Sequence, residues 1–304
     1  MRNAFIDTIL ESCRTRDDIF VLSGDAGLGV FDRFREERPD RFLNMGVAEQ
    51  NTISFAAGLA MTGYRVLVYN IIPFVLYRCY EQVRNDICYQ ELPVILAGIG
   101  SGVTYAPMGM THYSVEDIGI ARTLPNLEVI SPIDPVEARL AAGYALQADR
   151  PVYVRLAKRG EPDIHAECSF DLKKPQLLRG GTGSAILFHG SVGTEVLMAA
   201  EMLQQRGICP RIISVPFLQP LDIQALMELL GDIGHVFTVE EHFIGSGLGC
   251  IMACESARIS AGFRLHMLGI SDEYIHAVLD NDGMRARFGI SAGGIAARVE
   301  NTVG

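Results

Sequence analysis

Hydrophobic positions along the chain form two recurring patterns, short apolar runs and longer amphipathic stretches. Residues 19–22 and 94–99 are apolar at nearly every position, which is typical of strands whose two faces are both covered. Residues 192–203 instead carry apolar side chains at the spacing of one helix face. Alternation of such strands with amphipathic helices predicts parallel α/β structure.

The alternation continues on both sides of one interruption. Residues 159–183 combine prolines, glycines and mixed charges with little periodicity, which predicts a connection between domains. We therefore predict two stacked α/β domains, 1–160 and 184–304, joined by a linker at 161–183, each with a mostly parallel sheet flanked by helices. The predicted strands are 19–22, 65–69, 94–99, 127–130 and 152–155, then 184–188, 211–215, 235–240 and 265–268. The predicted helices are 47–61, 77–87, a segment opened by Asp134-Pro135, and 192–203, 223–230, 248–260 and 291–303.

Length and composition agree with a folded chain of this organisation. The 304 residues correspond to about two domains, at roughly 150 residues each. With 49% hydrophobic and 20% charged residues the chain can bury a sizeable core, which rules out a disordered or fibrous protein. The net charge of −10, without a basic block, argues against nucleic acid or an anionic membrane as a partner.

The longest uncharged stretch, residues 92–115, has the length of a membrane span but not its composition. It contains glycines, prolines, threonines and a histidine, so we predict a buried strand followed by a glycine-rich loop rather than a lipid-facing helix. Charges near the start of the chain argue against a signal peptide. The seven cysteines form no CxxC pair, which predicts reduced thiols in a cytoplasm and no metal site in this chain.

Candidate chemistry follows from where the predicted strands end. Ligands of open parallel sheets bind at the carboxyl ends of strands, which directs attention to Asp25, Glu49, the loop 98–113 and Arg155. Glu49 falls in the first turn of a predicted helix, between apolar and small neighbours, and is a candidate functional acid. The alternative is a helix-start carboxylate that interacts with the helix dipole.

Two further segments carry weaker signals. The loop 98–113 contains Thr111-His112-Tyr113, and a loop of this length inside a compact domain is usually functional, although a structural role for His112 remains open. The glycine-rich segment 245–249 follows a strand and opens a helix, so it could hold an anion, or it could simply allow tight packing of strand and helix. The segment 23–27 lacks the Lys-Ser/Thr of a phosphate-binding P-loop.

Several motifs, in order along nearly the whole chain, resemble the transketolase family. They are NMGVAEQ at 44–50, YEQV at 80–83, GMTH at 109–112, PNL at 125–127, SPIDP at 131–135, PFLQPLD at 216–222, EEH at 240–242 and GLG at 247–249. The resemblance is to the C-terminal half of a transketolase or deoxyxylulose-5-phosphate synthase, that is, to its pyrimidine-binding domain and its C-terminal domain.

The resemblance implies that the other half of the enzyme is a separate chain. In this family an N-terminal domain with a Gly-Asp-Gly…Asn motif binds the diphosphate of thiamine diphosphate through Mg²⁺. Gly24-Asp25-Ala26 does not match that motif. We therefore expect a partner subunit that carries the motif and the metal, and a heterotetramer of two large and two small subunits. The uncharged stretch 92–115 suits burial at such an interface.

The resemblance also assigns roles to the cofactor-facing residues. Glu49 matches the glutamate that promotes the imino tautomer of the cofactor's aminopyrimidine, which is the base that activates the thiazolium carbon. The family's aromatic stacking positions fall here on Ile72 and Val75, while the nearby aromatics are Phe74 and Tyr77. All four are candidates for contact with the pyrimidine ring. Asp25 is a weaker candidate, near the thiazolium.

Substrate roles are implied for His112 and Arg155. His112 matches a histidine that hydrogen-bonds the donor's oxygen and assists proton transfers. The neighbouring Tyr113 stands where transketolases usually have Gln. Arg155 matches an arginine that grips the acceptor's phosphate, a task suited to its planar charged fork, and its alternative is an interdomain salt bridge. The loop 100–108 lacks the further basic residues that phosphosugar enzymes often have.

The leading hypothesis is one subunit of a thiamine-dependent enzyme that transfers a two-carbon ketol unit from a ketose donor to an aldehyde. Within the family, the alternatives are a carboligase that decarboxylates pyruvate, like deoxyxylulose-5-phosphate synthase, and the beta subunit of a 2-oxo acid dehydrogenase. The Gly-x-Thr-His pattern favours the transketolase. A non-catalytic regulatory paralogue is the alternative of another class, and the presence of both Glu49 and His112 argues against it.

Overall fold

The structure, a computed structural model, describes residues 1–27, 29–158, 160–166, 169–271 and 273–304. Within these residues the strands form two separate sheets, as the alternation of apolar runs and amphipathic segments predicts. No helix of the described ranges is both long and apolar enough to span a membrane. The predicted fold class, two α/β domains with mostly parallel sheets, is confirmed.

The first sheet combines strands from both halves of the chain. As far as the chain is described, its strands are β1 (Ile19–Ser23), β2 (Phe42–Asn44), β3 (Arg65–Ile71), β4 (Val94–Ile99), β5 (Glu128–Ile130), β6 (Val152–Leu156) and β10 (Phe217–Gln219). Their order is β10-β5-β6-β4-β3-β1-β2, and all pairings are parallel except that of β10 with β5. Every residue of β4 and β6 is buried, because helices cover both faces of the sheet.

The second sheet belongs to the C-terminal half. Over the same described residues, its strands are β7 (Gln176–Arg179), β8 (Ser184–Phe188), β9 (Arg211–Ser214), β11 (His235–Phe243) and β12 (Arg264–Ile270). Their order is β12-β11-β8-β9-β7, and the pairings are parallel except for that of β7 with β9.

Helices pack on both sheets through apolar faces. They are α1 (Arg2–Cys13), α2 (Asp32–Glu37), α3 (Glu49–Met61), α4 (Tyr80–Gln82), α5 (Asp117–Arg122), α6 (Pro135–Ala145), α7 (Gly193–Gln204), α8 (Ile223–Leu230), α9 (Leu248–Ile259), α10 (Asn281–Arg287) and α11 (Ala292–Val303). At the start of α6, the Asp134 side chain accepts a hydrogen bond from Glu137 N, and Pro135 occupies the first turn. The helix start predicted there is therefore confirmed.

Two strands do not follow the predicted division of the chain into two domains and a linker. Residues 176–179, inside the predicted linker, form β7 at the edge of the second sheet, so the second unit begins before residue 184. Residues 217–219 lie in the C-terminal half of the chain, yet β10 pairs with β5 of the first sheet. The two halves therefore share a sheet edge as well as a packed face.

The connection between the halves is held by a buried acid–histidine cluster. Asp134 Oδ2 accepts from the backbone N–H groups of Ile164 and His165, and lies 3.0 Å from His165 Nδ1. Glu137 Oε1 is 3.6 Å from His165 Nε2 and accepts from the Ser214 hydroxyl. Burial raises the pKa of Glu137 to about 7, against the lowering effect of His165. Burial lowers the pKa of His165, but the hydrogen bond to Asp134 and the Glu137 carboxylate outweigh it and raise that pKa.

These shifts predict a pH-dependent anchoring of the connection. Because the pKa values of Glu137 and His165 are raised in the folded chain, the folded state keeps protons at a pH where the unfolded state has lost them. The free energy of unfolding that these two groups contribute therefore falls as pH rises from about 5 to 8. We expect the unfolding free energy of Glu137→Gln to vary less over that range than that of the native chain, by roughly 2 kcal/mol. Urea unfolding at pH 5.5 and 8.0 measures this. An unchanged pH dependence in the variant would contradict the assignment of the protons to this cluster.

Candidate functional site

The candidate site lies at the carboxyl edge of the first sheet, where β1, β3, β4 and β6 end. Parallel pairing brings these ends together. The segments that follow them are the loop after β1, two π-helical turns after β3 at Pro73–Tyr77 and Val83–Cys88, and the long loop after β4. π-Helical turns are often found at functional sites.

Glu49 is the first residue of α3 and is 8% exposed. Its Oε2 lies 2.9 Å from Nη1 of Arg78, one residue after the first π-helical turn. Gln50 Nε2 donates to the Arg78 carbonyl oxygen at 3.2 Å, which ties the start of α3 to this turn. The nearly buried position fits a functional acid, and the helix-start alternative also describes its place. Arg78 is a partner that the sequence patterns did not identify.

The four candidates for the pyrimidine ring divide into two pairs. Ile72 and Val75 are 0% and 1% exposed and belong to the hydrophobic core, so they lie beneath the site. Phe74 and Tyr77 are partly exposed. The Arg78 guanidinium carbon lies 4.4 Å from the Phe74 ring centroid, and the Tyr77 hydroxyl donates to Glu116 at 3.1 Å. Phe74 is therefore in contact with the Glu49–Arg78 pair through the Arg78 guanidinium.

His112 meets Phe74 from the long loop after β4. The two rings are edge to face with centroids 5.7 Å apart, and the Tyr105 ring is also edge to face with the imidazole, with centroids 6.1 Å apart. Thr111 Oγ1 is 2.9 Å from His112 Nδ1. Lys158, just after β6, places its ammonium 4.7 Å from the Tyr105 ring centroid. The site is thus one continuous series of contacts: Glu49, Arg78, Phe74, His112, Tyr105 and Lys158.

Asp25 lies at the end of β1, at an exposed position. Its backbone N–H donates to the Gly46 carbonyl oxygen at 3.2 Å, near the segment that leads into α3. Its surroundings form a cavity of about 690 Å³ that Asn44 and Arg35 also line. In the described residues Asp25 is not part of the contact series from Glu49 to Lys158.

Arg155 is enclosed rather than open to a ligand. Its Nε donates to Asp117 Oδ2 at 2.8 Å, and both side chains are 0% exposed. Its Nη2 donates to the carbonyl oxygens of Ser114 and Glu241 at 2.9 and 3.0 Å. The Tyr153 hydroxyl also donates to Asp117 Oδ2, at 2.7 Å. Arg155 therefore has the arrangement of the structural alternative, a buried ion pair at the junction of the two halves.

The segment 245–249 already has an anion, supplied by the chain itself. Glu240 accepts from the backbone N–H groups of Leu248 and Gly249 at 2.7 and 2.8 Å. Gly247 lies so close that a Cβ there would stand 1.9 Å from Glu240 Oε2. The start of α9 is therefore closed to an external anion, and the glycines serve tight packing. Tyr113 is likewise structural, because its buried hydroxyl donates to the carbonyl oxygens of Ala106 and Ala277.

No group of three or more His, Cys, Asp or Glu side chains in the described ranges could hold a metal ion. The site instead offers one nearly buried carboxylate, one aromatic face, one imidazole and two cations, Arg78 and Lys158. This set can hydrogen-bond a polar heterocycle, stack on it and contact an oxygen-rich, negatively charged substrate.

Comparisons with known proteins cover both halves of the chain. Residues 1–161 match the family model "Transketolase, pyrimidine binding domain", and residues 173–295 match "Transketolase, C-terminal domain". The chain is 34% identical over 297 residues to an apulose-4-phosphate transketolase subunit of Actinobacillus succinogenes, covering 97% of this chain and 96% of that one. It is 33% identical over 294 residues to a 6-deoxy-6-sulfo-D-fructose transketolase subunit of Clostridium sp., covering 96% and 91%.

A solved structure described as "Split gene transketolase, inactive beta4 tetramer" has the same fold. It superposes with a TM-score of 0.88 at 29% identity, covering 99% of this chain and 97% of that chain. The similarity therefore extends over both halves and over their relative arrangement.

Proposed function

This chain belongs to the transketolase family, and we propose that it is the C-terminal subunit of a split, thiamine-diphosphate-dependent transketolase. The enzyme transfers a two-carbon ketol unit from a ketose to an aldehyde. The observation that carries the proposal is the contact series that joins Glu49 through Arg78 and Phe74 to His112. It unites the proposed cofactor-activating acid and the proposed substrate histidine in one site.

The donor set of this site fits one end of thiamine diphosphate. The Glu49 carboxylate can share a hydrogen bond with a ring nitrogen, and the partly exposed Phe74 offers an aromatic face beside it. The described residues supply no cluster of metal ligands. We therefore assign the diphosphate and Mg²⁺ to a partner subunit that carries the Gly-Asp-Gly…Asn motif, in an α2β2 assembly.

Each residue of the site has a distinct task in this proposal. Thiamine diphosphate, when bound, supplies the nucleophilic carbon that attacks the donor's carbonyl group. Glu49 holds the hydrogen bond at the pyrimidine nitrogen that promotes the basic tautomer. Because Thr111 engages His112 Nδ1, Nε2 is the nitrogen that can hydrogen-bond the substrate's oxygen. Four other residues have supporting roles in this proposal. Further contacts with the cofactor come from Asp25 and Tyr77, and the buried side chains that pack beneath the ring are Ile72 and Val75.

Lys158 replaces Arg155 as the candidate for a negatively charged substrate group. Arg155 is buried in its ion pair, whereas Lys158 lies beside Tyr105 next to His112. The two relatives named above act on a sugar phosphate and on a sulfonated sugar, by their names. We propose that Lys158 contacts the anionic end of a substrate of this type.

Lys158→Met tests this assignment. We expect the KM of a phosphorylated or sulfonated substrate to rise about tenfold or more, since a charge-assisted hydrogen bond is lost, with little change in kcat. Lys173→Met is the matched control, because the Lys173 ammonium also lies over an aromatic ring, at 4.8 Å from Tyr144. Equal KM values for the native enzyme and the Lys158 variant would exclude this role.

The experiment that tests the proposed function is isolation of the tagged chain from its host with Mg²⁺ and thiamine diphosphate present. Native mass spectrometry should find a stoichiometric second chain with the Gly-Asp-Gly…Asn motif, in a complex of two copies each, with the cofactor bound. A chain that binds and uses the cofactor alone would refute the split arrangement. A chain with neither partner nor cofactor would favour the non-catalytic paralogue. Turnover of pyruvate instead of a ketose would favour the decarboxylating carboligase.

A further inference from the structure

The loop that carries His112 is built against the C-terminal half of the chain. Its first and last segments meet in a short bridge, with Gly102 and Ser114 exchanging both backbone hydrogen bonds at 3.0 and 2.9 Å. Beneath it lies an apolar cluster drawn from both halves. That cluster consists of Val103, Ala106, Tyr113, Val115, Ile270, Ile275 and Met284.

Glu241, in β11, is the polar anchor of this loop. The side chain is 2% exposed, and Oε2 accepts from the Val103 backbone N–H at 3.4 Å and from the Ser191 hydroxyl at 2.9 Å. A Cβ on Gly102, which has a φ of +60°, would lie 2.4 Å from the Glu241 Cβ. Glu241 and the loop backbone are therefore in direct contact, and this contact needs glycine.

The other carboxylate oxygen of Glu241 is held inside the C-terminal half. Arg285 Nε donates to Oε1 at 2.5 Å, and its Nη2 donates to the Ser191 carbonyl oxygen at 3.1 Å. Arg285 Nη1 also lies 3.4 Å from Glu195 Oε1. The other oxygen of Glu195, Oε2, accepts from the Ala292 backbone N–H at the start of α11. A continuous polar chain thus runs from the loop through Glu241 to the framework of the second sheet.

Additional contacts fix the end of the same loop to the same framework. The Tyr113 hydroxyl donates to the Ala277 carbonyl oxygen, and Phe243 N donates to Val115 O at 2.8 Å. His112 itself sits between these anchored ends, where it contacts Phe74 and Tyr105. The position of the imidazole relative to Glu49 is therefore determined partly by residues of the C-terminal half.

We propose that the C-terminal domain serves as the positioning frame for the His112 loop, with Glu241 as the positioning residue. The inference rests on the proposed function for its catalytic meaning, but the mechanical claim concerns this chain alone. Glu241 acts through the loop backbone and needs no contact with substrate. A displacement of about 1 Å in such a loop can lower turnover on the order of a hundredfold.

Glu241→Gln is the variant of choice because it keeps the size of the side chain. A glutamine has one acceptor oxygen where Glu241 uses two, so its NH₂ group must face either Arg285 or the donors Val103 N and Ser191. Glu195→Gln is the matched control, since it removes the other carboxylate beside Arg285 without touching the loop. Tyr113→Phe is a second, milder variant that loosens the loop at Ala277.

Hydrogen–deuterium exchange of the full chain gives the first readout. We expect exchange in residues 102–113 to rise about tenfold in Glu241→Gln and Tyr113→Phe, with the second sheet unchanged, and no rise in that loop in Glu195→Gln. In the reconstituted complex, kcat should fall about ten- to a hundredfold in Glu241→Gln, with the affinity for thiamine diphosphate unchanged.

The outcomes separate this inference from the proposed function. Loop exchange in Glu241→Gln equal to that in Glu195→Gln, or a rise spread over the whole C-terminal half, would overturn the positioning role. The positioning role would also be overturned if Glu241→Gln loosened the loop locally but kept the native kcat. A native complex that transfers no ketol unit would refute the proposed function, while the exchange experiment would still decide whether Glu241 holds the loop.

Discussion

Glu49→Gln should reduce carboligation by the assembled enzyme by roughly a hundred- to ten-thousandfold, the range attributed to a positioned acid or base. Gln keeps the size of the side chain and an acceptor oxygen but lacks the carboxylic proton. The nearly buried position of Glu49 leaves little room for a solvent molecule to replace the carboxyl group. Steady-state turnover, with partner and saturating cofactor, measures the effect.

The control for this variant must be an acid of the same region outside the site. Glu81 lies in α4 at an exposed position, and Glu81→Gln should keep native turnover. Both variants should unfold at the same temperature as the native chain and still bind the partner. If Glu49→Gln turned over at the native rate, Glu49 would be a helix-start carboxylate and another chain would supply the acid.

Arg155→Met should destabilise the chain by about 3–5 kcal/mol, the cost of leaving one member of a buried ion pair without its partner. The variant leaves Asp117 with the Tyr153 hydroxyl, and it removes the donor to the carbonyl oxygens of Ser114 and Glu241. The unfolding free energy from urea titration measures the loss. Because the guanidinium joins both halves, we also expect weaker protection of Ser114 in hydrogen exchange.

A double variant distinguishes an ion pair from a substrate contact. Arg155→Met with Asp117→Leu replaces both charges by apolar groups, and such replacements recover much of the loss. We expect the double variant to be more stable than Arg155→Met. If Arg155 instead gripped a substrate phosphate, Arg155→Met would raise KM while the unfolding free energy stayed native.

Most of the strands were predictable because their signals are local, whereas β2, β7 and β10 were not predicted. Residues 94–99 are buried on both faces and form a continuous apolar run. The start of α6 was equally predictable, because Asp134 and Glu137 lie three residues apart and the hydrogen bond between them is local. α1 was not predicted, although its buried residues have helical spacing.

Contacts between distant residues were not predictable from pattern alone. Arg155 stands at a strand end as predicted, but its partner Asp117 is 38 positions away, and nothing in the local sequence marks the pair. For the segment 245–249 the sequence left an anion site and tight packing as alternatives, and the side chain that decides between them is Glu240 of the preceding strand. β10 was not predicted as a strand, and its pairing with β5 joins two segments that are far apart in the sequence.

Part of the candidate site was predictable from the family resemblance, and the rest is visible only in the structure. The resemblance to transketolases identified Glu49 and His112, and the structure brings them into one contact series through Arg78 and Phe74. Arg78 and Lys158 were not predicted, since a single arginine or lysine carries no periodic signal. Their spacing from the strand ends was the clue that could have identified them.

We propose that this chain supplies the acid and the substrate histidine of an active site completed by a partner. Transfer of a ¹³C-labelled two-carbon unit from a ketose to an aldehyde tests it most directly, with this chain, the Gly-Asp-Gly…Asn subunit, or both present. We expect labelled product only when both chains, thiamine diphosphate and Mg²⁺ are present, and we expect its loss with Glu49→Gln. Labelled product from the partner alone, at the rate of the complex, would contradict it.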